Sequence, residues 1–293
     1  MSARVRQAAG LLLTLVLAGA LAACGGGGFS SAPPTPPDTA IRSYVALGDG
    51  FTAAPYAGQG AGEDGCLRSA ENYPALAAQK MGLTEVKDVS CTHATTNALT
   101  ATFKAVKGKP ALPAQLDAVA KDTDLVSIGA GIEDHDLLHE MFRICLVQPC
   151  APGTTFYTQV LDEVGQAGDA LTRAIRAIQA KAPQAYIVVV GYPRLTPPPE
   201  SGCKDFPSQP AGADRDVVNY LLDQLNEKVR SAALQTGSGY VDVAKLSDGH
   251  QLCSAEPWVH GMSDQPGKAV AYHPLEAEQR AVADQLVAQV EQR

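Results

Sequence analysis

The sequence predicts a three-layer α/β domain, with a parallel five-stranded sheet covered by helices on both faces. Two observations carry this. Short apolar runs alternate along the chain with longer segments of helical periodicity, the pattern of parallel strands joined by crossover helices. The strand runs are also nearly all apolar, as expected when neither face of the sheet meets water. With 293 residues, 45% of them hydrophobic, the chain can build one large domain with appendages.

The first strand is expected at Tyr44–Leu47, ending in the tight turn Gly48-Asp49-Gly50 that opens a helix. Further strands are expected at Glu85–Val89, Leu125–Ile128, Tyr186–Val190 and Tyr240–Val243. Helical patterns occupy Tyr73–Met81, Leu112–Val119, Tyr157–Lys181 and Asp214–Thr236, with a last helix from Leu275 to Val290. In such sheets ligands bind beyond the carboxyl ends of the strands. Long loops at 54–70, 197–212 and 247–272 carry three of the cysteines, which predicts a crown of disulfide-pinned loops.

The N-terminus reads as an export signal. Arg4 and Arg6 precede an apolar run, Leu11 to Leu21, too short for a stable membrane span. The run ends in Leu21-Ala22-Ala23-Cys24, which resembles a bacterial lipobox, with Cys24 as the lipidated first residue; an ordinary cleaved secretory signal is the alternative. Residues 1–23 are therefore expected to be a signal peptide, 24–39 an anchor and Gly/Pro-rich tether, and 40–293 the domain. The expected location is the outer face of the bacterial cytoplasmic membrane. The formal net charge is −8, and removal of 1–23 takes away two arginines and no acid. Nothing in this acidic balance suggests nucleic acid, and none is expected as a partner.

Setting Cys24 aside leaves Cys66, Cys91, Cys145, Cys150, Cys203 and Cys253. An even number in an exported chain predicts disulfides. Many connectivities are open, and sequential pairs are expected: 66–91, 145–150 and 203–253. A structural zinc site is the weaker reading, because no Cys-x-x-Cys pair occurs.

Several stretches, in order, resemble the SGNH (GDSL-type) hydrolases, in particular the disulfide-containing esterases and lipases of actinobacteria. The turn Gly48-Asp49-Gly50 is similar to that family's Gly-Asp-Ser block. Cys66-Leu67-Arg68-Ser69 with Tyr73-Pro74-Ala75-Leu76-Ala77 looks like the segment after the nucleophile. Val188 to Arg194 resembles the fourth strand, and Gly249 to Cys253 with Pro257-Trp258-Val259 the late loop. The six cysteines fall where that branch places three disulfides. The resemblance covers roughly residues 42–291 and implies a flavodoxin-like strand order.

The same resemblance implies a serine nucleophile, a histidine base oriented by a carboxylate or carbonyl, and oxyanion donors from the serine amide, a glycine amide and an asparagine. This chain departs at most of these positions. Gly50 stands at the nucleophile, His93 at the second-block glycine, Gly131 at the asparagine and Val270 at the orienting acid. Asp49 and His273 are retained.

The expectation is therefore an inactive family member that binds an envelope acyl or glycan ligand or a protein partner. The alternative is a carboxylic-ester hydrolase using a substitute nucleophile or a metal-activated water. Thr52, Thr92 and Thr95 are the hydroxyls considered, each read first as a cap or turn residue. Glu133, Asp134, His135 and Asp136 follow the third block, and a helix opening there would place His135 and His139 on one face, the spacing of a zinc motif. A solvated helix start is the preferred reading of this run, so no metal and no cofactor are expected. His250 is read as structural, His260 as a surface residue and Trp258 as a loop-packing anchor. A monomer is expected.

Overall fold

A computed structural model describes residues 40–58, 65–105, 109–145, 150–197, 203 and 215–293. The leader, Cys24 and the tether lie outside the described residues, as does most of the loop 197–212. Among the described residues no helix is long and apolar enough to cross a membrane.

Five strands form one parallel sheet: β1 (Ser43–Gly48), β2 (Glu85–Asp88), β3 (Leu125–Gly129), β4 (Tyr186–Val190) and β5 (Gly239–Val241), in the order β2-β1-β3-β4-β5. The helices are α1 (Gly50–Ala53), α2 (Tyr73–Met81), α3 (Thr96–Thr100), α4 (Leu137–Cys145), α5 (Thr155–Lys181), α6 (Arg215–Thr236), α7 (Val243–Leu246) and α8 (Glu276–Glu291). Because side chains alternate along a strand, each central strand feeds two cores. Val45, Leu47, Val126, Ile128, Ile187 and Val189 pack with Leu171 and Ile175 of α5 and Leu221 and Leu225 of α6. Tyr44, Ala46, Leu125, Val188 and Val190 pack on the other side with Tyr73 and Ala77 of α2 and Val282 and Leu286 of α8. This is the three-layer arrangement that the sequence predicts.

Helices α5 and α6 approach closely at Gly168, where a Cβ would meet the Lys228 Cβ at 2.7 Å. At the other end of the sheet, the Asp124 carboxylate accepts hydrogen bonds from the amides of Arg42 (2.8 Å) and Ser43 (2.9 Å) and sets the entry of β1.

Several local expectations are corrected. Leu112–Val119 is not a helix: Leu112 forms a bridge to Phe103, and only Gln115–Ala118 turns, as one 3₁₀ segment. Pro113 is the reason, since it disfavours helical backbone at Leu112. The strand expected at Tyr240–Val243 ends at Val241, because the Asp242 side chain accepts from the Lys245 amide and caps α7. Strand β2 is an edge strand with exposed and half-buried residues alternating, not an apolar run. The sequence analysis also missed α3, where Thr96 is tied to Asp134 through both its amide and its hydroxyl.

The disulfides are Cys66–Cys91, Cys145–Cys150 and Cys203–Cys253. The first clips the loop after α1 to the end of β2. The third joins the loop after β4 to the loop that leads toward α8.

Candidate active site

The carboxyl ends of β1 and β3 meet the loop before α8, and the residues of interest gather there. Asp49 builds the turn. It caps α1 by accepting from the Phe51 amide (2.9 Å), and it accepts the Tyr192 hydroxyl (2.6 Å). Its own amide donates to the Gly129 carbonyl at 3.0 Å. Asp49 is fully buried, and burial together with the charge of Glu133 pushes its pKa well above the usual carboxylate range. Its bonds hold the turn backbone and the Tyr192 hydroxyl.

His273 is buried and stacks on Phe51 with ring centroids 4.9 Å apart. Its Nδ1 lies 2.9 Å from the Ala271 carbonyl. A main-chain oxygen therefore orients the ring, and Val270 in place of an acid does not leave it unheld. The other nitrogen, Nε2, is buried without a hydrogen-bond partner in the structure and points at Gly50. A Cβ built on Gly50 would lie 2.6 Å from Nε2 and 3.2 Å from Glu133 Oε1. The imidazole and this carboxylate crowd the space that a serine side chain would enter.

Glu133 is the residue that the sequence undervalued. Its side chain is only 8% exposed, and it sits between two imidazoles: Oε1 is 3.7 Å from His273 Nε2 and Oε2 is 3.6 Å from His93 Nδ1. Burial opposes its charge, but the contacts with His273 and His93 outweigh this and hold its pKa at about 2. Reciprocally, Glu133 raises the pKa of His93 against the opposing effect of burial. His93 lies at the rim, 66% exposed, with a left-handed φ of +58°. Glycine adopts that conformation most easily, in keeping with the glycine found at this position in the family that the chain resembles.

The acidic run divides by role. Asp134 binds α3, while His135 and Asp136 are exposed with φ of +53° and +60°. That kink precedes α4, so His135 is out of helical register with His139 and the shared face of the zinc-motif alternative does not form. Among the described residues no group of three or more His, Cys, Asp or Glu side chains is arranged to hold a metal ion.

Gly131, at the position where an asparagine donor is expected, has no side chain to donate. The nearest atoms to a Cβ there are Leu225 Cδ1 (3.5 Å), Ala167 Cβ (3.8 Å) and the Tyr192 hydroxyl (3.9 Å). A side chain at this position would face the helical layer. Among the described residues no hydroxyl hydrogen-bonds the His273 ring. Thr52 Oγ1 instead bonds the Gly129 carbonyl (3.3 Å) and lies 3.4 Å from the Tyr73 hydroxyl.

Around the site, His250 stacks on Trp258 at 4.3 Å, and its Nδ1 meets the Glu256 carbonyl at 2.8 Å. His260, expected on the surface, is half-buried, and its amide pairs with the His273 carbonyl at 2.9 Å. The strand-like bridge of this loop therefore helps to hold the histidine.

The depressed Glu133 pKa gives a signed prediction. Its charged form is favoured by folding, so its stabilisation is complete above its ordinary pKa of 4.5 and is lost as pH falls toward about 2. The loss amounts to roughly 3 kcal/mol. Melting temperatures of wild type and Glu133→Gln between pH 6 and pH 2 should converge at the acid end. Parallel curves would show that Glu133 does not carry this charge.

Comparison with known proteins agrees with the fold. The family model for GDSL-like lipases/acylhydrolases matches residues 46–281. Lipase 2 of Streptomyces coelicolor is 31% identical over 268 residues, covering 84% of this chain and 85% of its own. The extracellular lipase of Streptomyces rimosus superimposes with a TM-score of 0.63 at 26% identity, over 86% of this chain and 99% of that one. Phospholipase A1 of Streptomyces albidoflavus gives 0.64, 26%, 86% and 99%. With a β2-β1-β3-β4-β5 sheet, three disulfides and a histidine facing the Gly-Asp turn, this chain belongs to the GDSL-like lipase/acylhydrolase family.

Proposed function

We propose that this chain is a carboxylic-ester hydrolase in which water, not a serine, attacks the acyl carbon. The observation that carries the reading is His273 Nε2, buried, unpartnered and aimed over Gly50. The ring is held at Nδ1 by the Ala271 carbonyl, which leaves Nε2 to accept a proton. A water molecule gives a proton to Nε2 as its oxygen bonds to the ester carbon. The tetrahedral species then collapses, the carbon–alkoxide bond breaks, and the imidazolium returns the proton to the leaving alcohol. The ionised Glu133, 3.7 Å away, stabilises the transient imidazolium. The Gly50 amide, first in α1, has no acceptor within its helix and can donate to the oxyanion. No acyl-enzyme forms. The named lipases among the relatives support ester substrates.

A second reading has one observation in its favour: no hydroxyl reaches His273. In that reading the site binds an acyl ester or envelope glycan and does not turn it over. Under both readings we propose that Cys24 anchors the domain to the outer face of the membrane.

Hydrolysis of short-chain nitrophenyl esters by wild type and His273→Ala tests the choice. General-base catalysis contributes about 10²–10⁴-fold, so the variant should lose at least two orders of magnitude. Equal rates in the two proteins would overturn hydrolysis and favour the binding reading.

A further inference from the structure

His93 takes no part in the hydrolysis described above, yet it completes a line of three groups. The buried Glu133 presents one oxygen to the buried ring of His273, at 3.7 Å, and the other to the exposed ring of His93, at 3.6 Å. Both distances are longer than an ordinary hydrogen bond. The carboxylate is shared between the rings and closed on neither.

That geometry poses an electrostatic problem for a base. Nδ1 of His273 is engaged with the Ala271 carbonyl, so in the neutral ring the Nε2 lone pair faces a Glu133 oxygen. An unbalanced carboxylate in that place favours a proton on Nε2, and a ring that already holds a proton takes none from water. Asp49 and Asp134 also feel the charge of Glu133, but as acids they cannot balance it. His93 can. Glu133 favours its protonated form, and so, more weakly, do Asp136 and Asp264. Its backbone, at a left-handed φ of +58°, places the imidazole there in a conformation that glycine adopts most easily.

We propose that His93 is a positioning residue for His273: its imidazolium draws one oxygen of Glu133 to the rim and balances the carboxylate, so that Nε2 stays free to take a proton from water. The proposal rests on the reading of His273 as a base, but its consequence is measurable without turnover. Two rings that share one carboxylate titrate as a coupled pair.

The test is an NMR titration of the histidine rings of the full chain, with the His273 signals assigned by their loss in His273→Ala. His93→Gly removes the ring and leaves a residue at ease with the local backbone, so the fold is kept. Allowing for solvent screening at the exposed rim, loss of this charge should move the His273 titration midpoint up by about one pH unit. The acid limb of the pH profile for ester hydrolysis should move in the same direction. In Glu133→Gln no carboxylate remains to be balanced, and adding His93→Gly should leave the His273 midpoint in place. Equal midpoints in wild type and His93→Gly would overturn the proposal. A shift that persists in the Glu133→Gln background would also overturn it, because His93 would then act without the carboxylate. A Glu133-dependent shift in a protein that hydrolyses no ester would support the coupling and overturn only the hydrolytic reading.

Discussion

Gly50→Ser is expected to raise ester hydrolysis by about 10³–10⁴-fold. The substitution supplies an Oγ beside a histidine whose Nε2 is buried and unpartnered and whose Nδ1 is already held by a carbonyl. In a serine protease, loss of the nucleophile costs about a millionfold, which sets the ceiling on recovery. Loss of one oxyanion donor costs about 10²–10³-fold elsewhere, and Gly131 provides none, so the gain should fall short of that ceiling by this factor. The structure also names a cost. A Cβ at residue 50 would lie 2.6 Å from His273 Nε2 and 3.2 Å from Glu133 Oε1, so both side-chain tips must retreat. Overpacking of this kind destabilises by about 1–3 kcal/mol. The check is the rate, together with covalent labelling of residue 50 by a fluorophosphonate, read by mass spectrometry. The double variant Gly50→Ser/His273→Ala should show neither effect. A serine variant that stays at the wild-type rate and takes no label would show that the pocket has closed around glycine.

The largest stability effect is expected at Glu278. This carboxyl is buried on α8 beneath the Gly50 turn, and it receives a hydrogen bond of 2.7 Å from Gln279. Gln279 also donates to the Phe51 carbonyl (3.0 Å) and accepts from the Tyr73 amide (2.7 Å), so α8, α1 and α2 meet here. Burial raises the Glu278 pKa from 4.5 to about 8, against the Gln279 bond, which lowers it. The folded protein thus keeps a proton that the unfolded chain releases above 4.5. Stability is full below that pH and falls as pH rises toward 8, by roughly 4–5 kcal/mol. Glu278→Gln keeps an acceptor for Gln279 and removes the ionisation. The variant should match wild type near pH 4 and exceed it at pH 8 by several kcal/mol. For a domain of this size that corresponds to roughly 10 °C in melting temperature. An unchanged difference between the two pH values would mean that Glu278 ionises freely in the fold.

Much of the fold was legible because it rests on local pattern. The apolar runs of β1, β3 and β4 and the periodicity of α2, α5, α6 and α8 are properties of neighbouring residues. The misreadings have local causes as well. Pro113 and the cap at Asp242 turned a helix and a strand end into other things, and both signals were present in the sequence. In the site, His273 and the Gly-Asp turn could be placed from their surroundings in the chain. Glu133 could not, because its importance lies in contacts with His93, 40 residues before it, and His273, 140 residues after it.

By itself the sequence determined the class of fold, the export signal as an expectation and the absence of a side chain at residue 50. Each follows from residue type and spacing alone. Only the tertiary structure decided that a backbone carbonyl orients His273 and that Glu133 lies buried between two imidazoles. The physical reason is distance. Hydrogen bonds and charge interactions act over a few ångströms, and the strand ends and loops that supply these groups become neighbours only when the sheet is assembled.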